Sequence, residues 1–253
     1  MDINIFDMEI VGYKNIKKSI NSQDHLLYKN EKNYAILSVA DGHSLTRFKY
    51  SEIGAKIACE VVLDVVSKYL NMGKFDLFLE DFKSKKIQLE IKNEWRRRVY
   101  DDFYKRNYKA YKLDYIDYGT TLTFVVLFEK NIIFFNLGDG YIFVEEKGEY
   151  IKVFKNNNYK IVNSLAHKNC EIYMQYKIEE LKYKNLKLVI STDGFVNSFE
   201  NYFDLKLEFE KIFSFLEKNV FSNLNFRKKY KKYLFDLNKR GSKDDISIIF
   251  LYK

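Results

Sequence analysis

Three apolar runs in this chain end at an aspartate set beside glycine. They are Val39-Ala40-Asp41-Gly42-His43, Asn136-Leu137-Gly138-Asp139-Gly140 and Ile190-Ser191-Thr192-Asp193-Gly194. Asp24 closes Asn21-Ser22-Gln23-Asp24 just before another apolar segment, and Asp244-Asp245 stands immediately before the last one. A single Asp-Gly is a common turn dipeptide and says little. Several carboxylates at the ends of neighbouring buried strands say more, because they repel one another strongly unless a cation sits among them. The donors are all oxygens, with no His/Cys clustering and no zinc spacing, so the cation expected is Mg²⁺ or Mn²⁺.

Strands have to place these acids. Asp24–Tyr28 and Tyr34–Ala40 read as short strands joined by a turn at Asn30-Glu31-Lys32-Asn33. Thr120–Phe128 and Asn131–Leu137 are continuous β-branched and aromatic runs, as expected of strands buried on both faces. Tyr141–Glu146 and Tyr150–Phe154 flank Lys147-Gly148 as a hairpin, Leu186–Ser191 is a further buried strand, and Ile246–Leu251 closes the set. Helices fall elsewhere. Ser51–Leu70 repeats apolar residues at Ile53, Ile57, Val61 and Val65, with Ser51 as the expected N-cap. Phe75 to about Lys112 predicts one or two helices, and Phe203–Lys239 is helical in pattern. Helices segregated from strands imply an α+β layered fold, and the absence of a linker or repeat implies one domain over residues 1–253.

In order and content these segments resemble the metal-dependent protein phosphatases, the type 2C serine/threonine phosphatases, in their bacterial form. The resemblance runs from about Val11 to Tyr252 and rests on Asn21-Ser22-Gln23-Asp24, Asp41-Gly42-His43, Gly119-Thr120-Thr121-Leu122, Leu137-Gly138-Asp139, Ser191-Thr192-Asp193-Gly194 and Asp244-Asp245-Ile246-Ser247. It implies a central β-sandwich of two antiparallel sheets flanked by α-helices on both sides. It also implies hydrolysis of phosphoserine and phosphothreonine by water activated between two tightly held divalent cations, with a third held weakly. Asp41 then resembles the bridging carboxylate, with the Gly42 carbonyl beside it. Asp193 and Asp244 resemble ligands of the first ion, and Asp24 an outer ligand of the second, acting through water. Asp139, with Asp193, resembles the position of the third. His43 matches a histidine proposed as general acid toward the leaving alkoxide.

Four departures accompany the match. Ser44 and Leu45 follow the histidine where the family has two small residues, Gln23 replaces a glutamate, and Asn197 replaces a second aspartate. The phosphate-binding arginine has no counterpart. Lys17 and Lys18 are the expected substitutes, with Lys14 also available, and each would act as a point charge without the guanidinium fork.

Composition narrows the remaining classes. Hydrophobic residues are 47% and charged residues 31%, an ordinary globular balance, and proline is absent. No apolar run reaches the length of a membrane span, and the acidic N-terminus does not read as a signal peptide. Cys59 and Cys170, the only cysteines, are expected as unbonded buried thiols in a reducing cytoplasm, on a monomer. The net charge of +8 suits an acidic partner such as a phosphorylated protein. Nucleic acid is disfavoured, although Arg96-Arg97-Arg98 and Phe226–Tyr233 carry the basic and aromatic types it would use. A phosphatase of small molecules would carry the same acids. A non-catalytic binder of phosphorylated partners would not need so many of them.

Overall fold

The computed structural model describes residues 3–44, 48–106, 112–155, 163–181, 185–218 and 224–253. Leu45 and the parts of the expected helices at 107–111 and 219–223 lie outside the described residues.

Two five-stranded antiparallel sheets pack face to face. The first runs β1 (Asn4–Ile10), β10 (Ile246–Tyr252), β9 (Lys187–Ser191), β6 (Tyr141–Glu146), β7 (Glu149–Lys152). The second runs β2 (Asp24–Asn30), β3 (Tyr34–Asp41), β4 (Leu122–Phe128), β5 (Asn131–Leu137), β8 (Gln175–Glu180). The continuous apolar runs are explained by what each face meets. Successive side chains of a strand point to opposite sides. On β4, Val125 and Leu127 enter the layer between the sheets, while Phe124, Val126 and Phe128 turn toward α2 (Ser51–Asn71), α3 (Phe75–Lys83) and α4 (Lys86–Arg106). On β10, Ile249 and Leu251 face the same inter-sheet layer, while Ile248 and Phe250 meet α6 (Tyr202–Glu217) and α7 (Leu224–Arg240). Helices therefore cover both outer faces of the sandwich, as expected.

Two strands are not apparent in the sequence. β1 buries Phe6, Met8 and Ile10 against the α6–α7 layer, and β8 is an edge strand of sequence QYKIEE with no fully buried residue and only Tyr176 and Ile178 to reveal it. The cap of α2 is also corrected. The helix begins at Ser51 after Tyr50, with no side-chain cap bond; the Ser51 hydroxyl instead accepts a bond of 2.7 Å from Gln23 Nε2. Cys59 and Cys170 are both buried and unbonded to each other. Burial pushes their thiols up to about 12 and about 11, which keeps them protonated and unreactive.

Candidate active site

The strand ends named above converge on one rim of the sandwich. Asp24, the first residue of β2, sits directly opposite Asp41, the last residue of β3, in the antiparallel register. Like charges facing each other across a strand pair destabilise it, and Asp24 is only 6% exposed. From the other sheet, Asp193 opens the short helix α5 (Asp193–Val196) just after β9, and Asp244 and Asp245 lead into the neighbouring β10. One hydroxyl ties the two sheets together here. Thr192 Oγ1 donates to Asp24 Oδ2 at 2.7 Å and accepts from the Ser247 amide at 3.0 Å.

Asp41 is held chiefly by its backbone, with one side-chain bond shared with Asp193. Its amide donates to Thr121 Oγ1 at 3.0 Å, and its carbonyl accepts from Thr120 Oγ1 and the Thr121 amide at 3.0 and 2.9 Å. Asp139 sits where the chain passes from β5 in one sheet to β6 in the other. Gly138 makes that crossing at φ +115°, a conformation other residues adopt only with strain, and its missing Cβ would stand 2.6 Å from Thr121 Cγ2. One Asp139 oxygen, Oδ1, is buried with no hydrogen-bond partner.

Burial and mutual repulsion raise these acids. The carboxyls of Asp24 and Asp41 lie well above the usual range, through burial first and neighbouring aspartates next. Burial, with Asp139 and Asp244 nearby, lifts Asp193 to about 7, against the opposing influence of Lys14 and a hydrogen bond with Asp41. Burial also raises Asp139, with Asp244 adding to the shift and Lys152 opposing it. Among the described residues, no group of three His, Cys, Asp or Glu side chains is already gathered around a single point fit for a cation. The donor chemistry nevertheless suits one. Crowded buried carboxylates, an unpartnered Asp139 oxygen and the Gly42 carbonyl are all hard oxygen donors of the kind Mg²⁺ or Mn²⁺ takes.

The lysine that reaches the acids is Lys14. Its Nζ lies 2.5 Å from Asp244 Oδ2 and 3.3 Å from Ser44 Oγ. Lys17 and Lys18 are exposed, and Lys17 lies over the ring of Tyr13 at 4.8 Å. Gly42 is buried, and its amide donates to the Gln23 carbonyl at 3.1 Å. His43 is partly exposed. Its amide donates to the Gly119 carbonyl at 3.0 Å, and its ring lies 4.8 Å from that of Phe48. A side chain at 119 would begin 2.7 Å from His43 Cδ2, so glycine is what lets the imidazole pack there. Gln23, in place of the family's glutamate, donates to the His43 carbonyl at 3.2 Å as well as to Ser51, and so braces the histidine.

Asp245 has a use that sequence reasoning missed. Its two carboxylate oxygens accept from the Gly12 amide at 2.6 Å, the Gln23 amide at 2.7 Å and Asn15 Nδ2 at 2.8 Å. The segment carrying Lys14 and the one leading to Asp24 are thereby tied to β10. The only outward signal is the Asp244-Asp245 doublet, which does not say which of the two faces the site.

The protein phosphatase 2C family model matches residues 11–233. The chain belongs to that family. With the family comes the enzyme class, a phosphoprotein phosphatase. Solved structures agree on the fold. The S. agalactiae serine/threonine phosphatase superposes at a TM-score of 0.63 with 19% identity over 99% of each chain. PppA of Pseudomonas aeruginosa gives 0.61 with 12% identity, covering 98% of this phosphatase and 96% of PppA. The catalytic domain of the serine/threonine phosphatase PstP, solved in complex with two manganese ions, gives 0.57 with 12% identity over 98% and 97% of the two chains. No curated protein matches the sequence. Among the described residues, no helix of this phosphatase is long and apolar enough to cross a membrane.

Proposed function

We propose that this phosphatase hydrolyses phosphoserine and phosphothreonine in proteins with divalent cations held by Asp41, the Gly42 carbonyl, Asp193, Asp244 and, through water, Asp24. What supports this reading most is the gathering of acids from widely separated segments onto one rim, where burial and repulsion raise their pKa values. When bound, Mg²⁺ or Mn²⁺ supplies charge against the phosphoryl oxygens and acidifies the attacking water. The remaining work falls to side chains of the chain. Lys14 exchanges its contact with Asp244 for a phosphoryl oxygen, in the place expected of Lys17 or Lys18. His43, braced by Gln23 and packed on Phe48, gives its proton to the departing serine or threonine oxygen.

The deciding experiment is a phosphatase assay on the purified protein with an aryl phosphate and a phosphothreonine peptide, with and without Mn²⁺. Turnover should appear with the metal and vanish on exhaustive chelation. Activity that survives chelation rejects the reading.

Asp139 is assigned a supporting role at a third, loosely held ion, shared with Asp193. A carboxylate shared between two cations compensates neither fully, and Asn197, which donates to Asp193 Oδ2 at 3.0 Å, contributes no charge of its own. Asp139→Ala should lower turnover at saturating Mn²⁺ by at least about tenfold, roughly 1.4 kcal/mol in the barrier. Calorimetry should still find the tight ions bound. Unchanged turnover would reduce Asp139 to a turn residue.

A further inference from the structure

The helix α1 (Tyr13–Ile16) and the end of α7 form one platform beside the acidic rim. Tyr13 is its centre. Lys17 Nζ lies 4.8 Å and Lys239 Nζ 5.2 Å from the centroid of its ring, and Phe235 packs edge-on against it at 6.3 Å. The platform is fastened to the site by backbone and amide bonds. The Tyr13 amide donates to Asn238 Oδ1 at 3.0 Å, the Lys14 amide to the Lys243 carbonyl at 3.0 Å, and Asn238 Nδ2 to the Asp244 carbonyl at 2.6 Å. Asn238 is fully buried, so this join is a fixed part of the fold.

The lysines here contrast with the arginines of α4, and what sets them apart from other unpaired surface lysines such as Lys18 and Lys228 is the join to the acidic rim. Arg97 is taken up by Glu94 and Asp101, Arg98 by Glu94 and Asp64, and Arg96 lies over Tyr115 at 3.8 Å. Lys17, Lys239 and Lys243 are exposed, and among the described residues no carboxylate lies within ion-pairing distance of them. Three uncompensated ammonium groups, two of them resting on the Tyr13 ring, lie on segments joined to the acidic rim and attract negative charge on the same substrate.

We propose that this platform reads acidic side chains flanking the phosphorylated residue of the protein substrate. The proposal rests on the phosphatase reading above. Lys14 at the rim and Lys17 are three residues apart, a rise of about 4.5 Å along a helix. An extended peptide advances about 3.3 Å per residue, so the acids read lie roughly one or two positions from the phosphorylated one. The platform suits nucleic acid less well, since the Tyr13 ring is already engaged by two ammonium groups and a neighbouring phenyl ring instead of being open to a stacking base.

The test uses the Mn²⁺-loaded full chain, p-nitrophenyl phosphate and three phosphothreonine peptides that differ only in having Asp, Ala or Lys beside the phosphorylated residue. The Asp peptide should be hydrolysed with a kcat/KM about fivefold above that of the Ala peptide, with the Lys peptide lowest. The preference should fade near 1 M salt, where the screening length falls to about 3 Å. The double variant Lys239→Gln/Lys243→Gln should lose the preference through KM while turning over p-nitrophenyl phosphate normally, and Lys239→Arg/Lys243→Arg should restore it. A wild type indifferent to flanking charge, or a Gln variant that loses activity equally on every substrate, overturns the proposal. So does stronger inhibition by a single-stranded oligonucleotide than by the unphosphorylated Asp peptide, which would mark the platform as a nucleic-acid surface. A wild type inactive even on p-nitrophenyl phosphate takes both readings down, whereas activity without flanking preference removes only this one.

Discussion

Asp41→Asn should abolish phosphatase activity, by about a thousandfold or more, while leaving the metal-free protein as stable as the wild type or more so. The activity loss follows from removing the carboxylate proposed to face both cations, since charge placed against the reacting phosphoryl group typically lowers the barrier more than any other single effect in such a site. The stability expectation follows from what holds residue 41 in place. Its three anchors to Thr120 and Thr121 are backbone amide or carbonyl bonds that asparagine keeps. What the substitution removes is one buried charge among Asp24, Asp193, Asp139 and Asp244, each of which pushes the Asp41 carboxyl upward. The new amide can still donate to Asp193. Asp245→Asn is the control with the opposite outcome, because Asp245 satisfies three donors with acceptor oxygens and an amide would turn a donor of its own toward one of them. Turnover at saturating Mn²⁺ and thermal melts in chelator check both variants. A large loss of melting temperature in metal-free Asp41→Asn would make Asp41 a structural residue.

The metal-free protein should lose stability as pH rises from 5 to 8, and saturating Mn²⁺ should flatten or reverse that slope. Asp24, Asp41, Asp139 and Asp193 have folded-state pKa values above those of the unfolded chain. Across the interval between the two values the folded state binds more protons, so the stabilisation is complete below the unfolded value of about 4 and is lost as pH climbs through each folded value. For Asp193 that upper end is about 7. His25 acts the other way, because burial lowers its pKa and folding gains as pH passes upward through it. His25 and Lys152, whose ammonium pKa burial lowers to about 8, stand against the four rim carboxyls, and the net change should be a few kcal/mol, roughly 10 °C in melting temperature. Cations favour the deprotonated acids and so should restore at pH 8 what repulsion removed. Melts at stepped pH, in chelator and in Mn²⁺, give the answer. A metal-free melting temperature that rises between pH 5 and 8 would contradict the crowding of charge described at the rim.

The parts of this molecule legible in its sequence are those where one residue type has one physical meaning. Apolar runs such as Leu122–Phe128 have to be strands covered on both faces, and the structure supplies a helix layer on one side and the opposite sheet on the other. Acids at the ends of such runs have to lie at a sheet edge. Less is legible where a residue acts through tertiary contacts. Lys14, Lys17 and Lys18 are indistinguishable by type and near in number, and only the fold decides that Lys14 alone of the three contacts Asp244. Ser51 has the right type for a helix cap, yet its hydroxyl is engaged by Gln23, which lies 28 positions earlier. Asp244 and Asp245 are adjacent, and the bend that leads into β10 sends one toward the rim and the other onto the Gly12–Gln23 segment.

Every acid of the rim hangs on a strand end, a tight turn or the first residue of a short helix, and none comes from the long helices α2, α4, α6 and α7. Those helices meet the sheets through apolar side chains, such as Trp95 and Phe82 on one side and Phe209 and Leu234 on the other. Such layers tolerate exchange of one hydrophobe for another if volume and pattern are kept. The chemistry therefore imposes few demands on most of the chain's length. Such tolerance is compatible with a fold shared over nearly the whole length with the S. agalactiae enzyme and PppA at only 19% and 12% identity.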